Sequence, residues 1–146
     1  IIVAFPGETD AEFRDTLDLM RTVRFDEAFT YKYSLRDGTP ATRFPERDFI
    51  ASEEAQTRLA ELIELSRQIQ GQINSSEVGR VEEVLIEHQG RDPGQVRGRT
   101  RRNKVVVFDG DVERVGDYAH ALLERTTGAT FSGSEVAYSK PEMALV

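Results

Sequence analysis

The chain has 146 residues, 38% apolar and 31% charged, which is the composition of a soluble globular protein with room for a buried core. It has no cysteine, which excludes disulfides, thiolate zinc sites, iron–sulfur ligation and a cysteine nucleophile from these residues. The net charge of −7 is unevenly spread: residues 79–104 hold seven basic and four acidic side chains, while both flanking stretches are acidic.

The opening Ile1-Ile2-Val3-Ala4-Phe5 run breaks at Pro6-Gly7. It reads as a strand buried on both faces, of the kind found inside a parallel sheet, and so as the interior of a larger domain. Thr9 with Glu12 three residues later has the capping-box spacing, and Phe13, Leu17, Met20 and Val23 then follow a helical stripe. A β-rich stretch from Ala28 to Tyr33 completes a strand–helix–strand unit whose strands should run parallel. Asp37-Gly38, Pro40 and Pro45 mark a loop. Ser52 is placed to cap a longer helix with Ala55, Leu59, Leu62, Ile63, Ser66, Ile69 and Ile73 along one face, and Glu and Arg on the other.

From Gly79 onward, short β-type runs alternate with turns such as Asp92-Pro93-Gly94 and Asp109-Gly110, the pattern of a small antiparallel barrel. The fold class expected is α+β. Residues 1–74 form a strand–helix unit with a linking helix, residues 75–140 a β-barrel and residues 141–146 a tail.

Two places draw attention as sites. The turn Phe5-Pro6-Gly7-Glu8-Thr9 lies at the carboxyl end of a parallel strand and leads to a helix N-terminus, where α/β folds bind ligands; Tyr33, Ser34 and Arg36 end the next strand beside it. On pattern alone both segments read better as an ordinary βα turn and a solvated loop. The run Arg97-Gly98-Arg99-Thr100-Arg101-Arg102-Asn103-Lys104 opposes the sign of the rest of the chain. In an extended strand it would align Arg97, Arg99 and Arg101 on one face, a row suited to phosphates, although a charge run also serves as a solvated surface. His88 and His120 lie far apart without carboxylates at ligand spacing, so no metal site is expected.

Three stretches carry a resemblance: "IIVAFPGET", "FDEAFTYKYSLRDGTPA" and "RDPGQVRGRTRRNKVVVF", in this order. The chain resembles the methylthiotransferases of the radical S-adenosylmethionine superfamily, and "GRTRRNKVVVF" is similar to the members that modify tRNA. The resemblance implies a parent with a cluster-binding domain, an open (β/α) radical barrel and a small OB-like RNA-binding barrel called TRAM. This chain would hold the last βαβ part of the radical barrel, a linking helix and TRAM.

It further implies S-adenosylmethionine and two 4Fe–4S clusters in the parent, with the clusters held outside this cysteine-free chain. Such a parent adds a 2-methylthio group to a prenylated adenosine beside the anticodon. No catalytic residue lies here, and this chain alone would be inactive. Ile2, Ala4, Phe5, Pro6, Gly7, Glu8, Tyr33, Ser34, Arg36 and Thr39 would border the cofactor or target base. Arg97, Arg99, Thr100, Arg101, Arg102, Asn103 and Lys104 would hold the tRNA anticodon stem-loop. A cytoplasmic location is expected, with no membrane partner and with self-association through exposed strand edges. Two alternatives stay open: a stand-alone RNA-binding TRAM module, or a paralogue acting on another tRNA or on a protein. The chain departs from the family where Ala4 replaces a common Gly and where Leu35 and Asp37 replace the prolines of "SPRPGT".

Overall fold

The computed structural model describes residues 1–137, which divide into two units, Ile1–Gln70 and a second from Gly71 onward. In the first, β1 (Ile2–Val3), α1 (Asp10–Val23) and β2 (Tyr31–Lys32) form the expected strand–helix–strand, with β1 and β2 parallel and Ile2 opposite Tyr31. The opening run is not buried on both faces. Val3 and Ala4 are buried, while Ile1, Ile2 and Phe5 are exposed. Ala4 explains the short strand: at φ +59° it leaves extended geometry for the left-handed region and ends the pairing after Val3.

Helix α1 starts with the capping box, the Glu12 N–H donating to Thr9 Oγ1 at 3.3 Å and the Thr9 N–H donating to Glu12 Oε2 at 2.8 Å. Phe13, Leu17 and Met20 are buried as their spacing requires. Val23 is exposed, because Arg24 turns left-handed (φ 53°) at the C-cap and ends the stripe one turn after Met20. In the loop beyond β2, the prolines begin or precede two short 3-10 turns, Pro40–Arg43 and Glu46–Asp48.

Helix α2 runs Ser52–Glu77, so the division between the units falls within it. Ser52 is its first helical residue rather than its cap; the Ala55 N–H donates to Ala51 O, the residue before. Ala55, Leu62 and Ile69 are buried as expected, but Arg58, assigned by its charge to the solvent face, is buried among them.

The second unit is a closed barrel of β3 (Val81–Gln89), β4 (Gln95–Thr100), β5 (Val105–Asp109), β6 (Tyr118–Thr126) and β7 (Thr130–Glu135), in the order β3-β4-β5-β7-β6. It is mixed rather than wholly antiparallel: β5 and β7 pair in parallel, and the other four pairings are antiparallel. Alternation along the strands sends Val84, Ile86, Val96, Val106, Phe108, Ala119, Ala121, Leu123 and Phe131 inward. Gly98 is forced by closure, since a Cβ there would sit 2.2 Å from the Leu85 carbonyl oxygen. That requirement accounts for the small residue between Arg97 and Arg99. Tyr138 and the expected tail at 141–146 lie outside the described residues.

Candidate nucleic-acid interface

Strand β4 alternates cleanly: Val96, Gly98 and Thr100 face inward, and Arg97 and Arg99 face outward. The turn into β5 carries Arg101, Arg102 and Asn103 on the surface, with Asn103 at φ +63°. Lys104 and Thr100, expected to contact RNA, are instead buried. Lys104 Nζ donates to Asn74 Oδ1 at 2.5 Å and lies 3.7 Å from Glu77 Oε1, while Thr100 Oγ1 accepts the Lys104 N–H at 3.2 Å. Parity decides this: Lys104 precedes β5 on the side that Val106 and Phe108 continue into the core.

The exposed arginines are mostly paired. Arg99 Nε donates to Glu87 at 3.2 Å and Arg99 Nη1 to the Asn103 carbonyl and side-chain oxygens at 3.1 and 3.0 Å. Arg101 pairs with Glu83 at 2.7 Å and Arg102 with the buried Glu77 carboxylate. Arg97 makes no ion pair among the described residues. Arg99 and Arg101 border a groove of about 350 Å³ lined also by Glu83, Leu85, Glu87 and Tyr118, among others.

In the first unit, Phe5, Tyr33, Arg36, Thr39 and Phe44 line an apolar cavity of about 400 Å³. The Phe5 ring meets Tyr33 edge-on at 5.0 Å and Phe44 at 5.9 Å between centroids. The Tyr33 hydroxyl is buried without a hydrogen-bond partner among the described residues. Ile2 and Ser34 are exposed, and neither lines this cavity.

The amides of the Pro6–Thr9 turn are engaged within the chain rather than free for an anion, as in an ordinary βα turn. Gly7 N–H donates to Asp48 O, Glu8 N–H to Phe5 O, and Ala4 N–H to Glu8 Oε2 at 2.7 Å. Glu8 is further held by Arg58 at 2.9 Å, which also binds Asp10 and Glu54 and lies 5.4 Å from the Phe13 ring centroid. Burial alone would lower the basicity of Arg58, but the hydrogen bonds it donates to Glu8 and Glu54, with their charges, outweigh this and hold the guanidinium above its ordinary value. Glu8 is thus part of an internal ion cluster.

Residues 75–134 match the TRAM domain family. The barrel is a TRAM domain. Over most of its length the chain is similar to proteins named tRNA-2-methylthio-N(6)-dimethylallyladenosine synthase. It is 47% identical to that of Pelotomaculum thermopropionicum over 80% of this chain and 26% of the relative, and 46% identical to that of Carboxydothermus hydrogenoformans over the same shares. It is 45% identical to that of Chlorobium luteolum over 92% of this chain and 30% of the relative. The chain therefore spans between about a quarter and a third of the curated relatives it matches.

Three features of the TRAM surface escape a reading by charge. Glu83 and Glu87 on β3 reach the arginines only because β3 and β4 are neighbours, with Leu85 opposite Arg99. Tyr118 stands opposite Leu85 from the other side, on β6, more than half exposed. Its place beside the basic run is fixed by two strand registers and carries no local signal.

Proposed function

We propose that this chain is the part of a tRNA methylthiotransferase in which TRAM holds the RNA and the first unit borders the cofactor and target base. The observation that carries the reading is the row of outward guanidinium groups, Arg97, Arg99 and Arg101, on a chain of net charge −7. Similarity extending through both units supports an enzyme part over a stand-alone RNA-binding module.

The cofactor side is supported by the apolar cavity beside β1 and β2, whose Phe5, Tyr33 and Phe44 rings suit a ligand with an aromatic ring. Phe5, Tyr33, Arg36 and Thr39 would orient S-adenosylmethionine or the target base there and exclude water. When bound, S-adenosylmethionine supplies the radical chemistry. The 4Fe–4S clusters do not fit these residues: the chain has no cysteine, so their thiolates would come from outside this sequence. The chain alone is accordingly proposed to be inactive. Exposed Ile1, Ile2 and Phe5 support further apolar pairing at β1, by parent strands or by a second copy. No helix among the described residues is long and apolar enough to cross a membrane.

The test is titration of an anticodon stem-loop at several salt concentrations. Three or four phosphate contacts give a slope of log affinity against log salt of about −2 to −4. Replacing Arg97 and Arg101 by alanine should flatten it by more than one unit, whereas Arg14→Ala with Arg21→Ala on α1 should leave it unchanged. Equal losses from both pairs would place the RNA elsewhere.

A further inference from the structure

The TRAM groove combines charges and apolar groups in a way that a phosphate track alone does not need. Tyr118, Leu85 and Arg99 form one cross-strand row on the outer face of β6, β3 and β4, each opposite the next in register. Tyr118 leaves its ring in solvent, and Leu85 is half-buried beneath the same groove. An exposed aromatic next to an aliphatic side chain is a surface on which a planar ring stacks.

The carboxylates sharpen the argument. Glu83 and Glu87 line the groove and neutralise Arg101 and Arg99 there, so a phosphate lying within it would meet no net positive charge. A neutral nucleobase needs no such charge. Arg97, without an ion pair among the described residues, lies outside the groove lining and offers phosphate a free cation.

We infer that this groove takes one unpaired nucleotide, its base stacked on Tyr118 and Leu85 and its neighbouring phosphates on Arg97 and the flanking arginines. The inference rests on the proposal that TRAM binds RNA and adds what the surface prefers: single-stranded loop over duplex, because paired bases keep their faces covered. Tyr118 is then a positioning residue that sets register, and the arginines supply charge.

The experiment uses the whole chain, an RNA hairpin with 2-aminopurine in its loop, and a blunt RNA duplex of equal length. The hairpin should bind more tightly, with quenching of the 2-aminopurine as it stacks. Tyr118→Ala should weaken hairpin binding about tenfold and abolish the quenching, with duplex affinity and salt slope unchanged. Tyr118→Phe should restore both, which separates ring stacking from the hydroxyl. If Tyr118→Ala binds and quenches as the parent chain does while Arg97→Ala still flattens the slope, stacking is refuted and the RNA-binding reading stands. If neither RNA binds, both fall together.

Discussion

Lys104 Nζ lies 2.5 Å from Asn74 Oδ1, and the Asn74 side-chain amide donates in turn to the Gly128 carbonyl at 2.7 Å. A lysine of the basic run thus joins the last turns of α2 to the β4–β5 and β6–β7 connections. Glu77, almost wholly buried, supplies the countercharge and is shared with Arg102. A buried ion cluster of this kind ties elements together with little net stabilisation, but losing one member leaves an uncompensated charge.

Lys104→Ala should therefore destabilise the TRAM unit by about 3 kcal/mol, measured by urea unfolding. The salt slope for RNA binding should not change, because the ammonium does not reach the surface. Loss of a full unit of slope in a still-folded variant would show that Lys104 contacts phosphate after all.

Glu83→Gln should act in the opposite direction on RNA. It releases Arg101, an exposed partner whose ion pair is worth at most about 1 kcal/mol. Affinity for the stem-loop should rise by up to about fivefold at low salt, with the gain shrinking as salt screens the charges. Weaker binding would mean that the carboxylate itself contacts RNA.

Ala4→Gly should stabilise the first unit. At φ +59° an alanine carries a left-handed penalty of about 1–2 kcal/mol, partly offset in the glycine variant by the greater freedom of the unfolded chain. A net gain of about 0.5–1 kcal/mol in chemical unfolding is expected, and Ala4→Val should lose stability.

The α1 cap should be acid-sensitive. The Thr9 backbone N–H, and then its hydroxyl, hold the Glu12 carboxyl below its ordinary value of 4.5. Because the folded value is the lower one, the stabilisation is fully present above the ordinary glutamate range and is lost as pH falls through the folded value. The stability difference between the parent chain and Glu12→Gln should therefore be largest near neutral pH and shrink on acidification. A difference that is constant with pH would show that the ionised carboxylate is not what caps the helix.

Local patterns determined what depends on neighbours in sequence: the capping box at Thr9 and Glu12, the Phe13–Leu17–Met20 stripe, the parallel strand–helix–strand order, and a barrel of short strands after Gly79. They also exposed the basic run as the one segment of opposite charge. Tertiary structure alone decided which of those charges face water. Arg58 is buried because Glu8 in the turn before α1, Asp10 on α1 and Glu54 on α2 converge on it, and Lys104 because strand parity and Asn74 draw it inward. Tyr118 joins the arginines through the registers of β6, β3 and β4, across 19 positions of sequence from Arg99. Charge and period are properties of a segment, whereas burial and the meeting of distant side chains are properties of how strands close into a barrel.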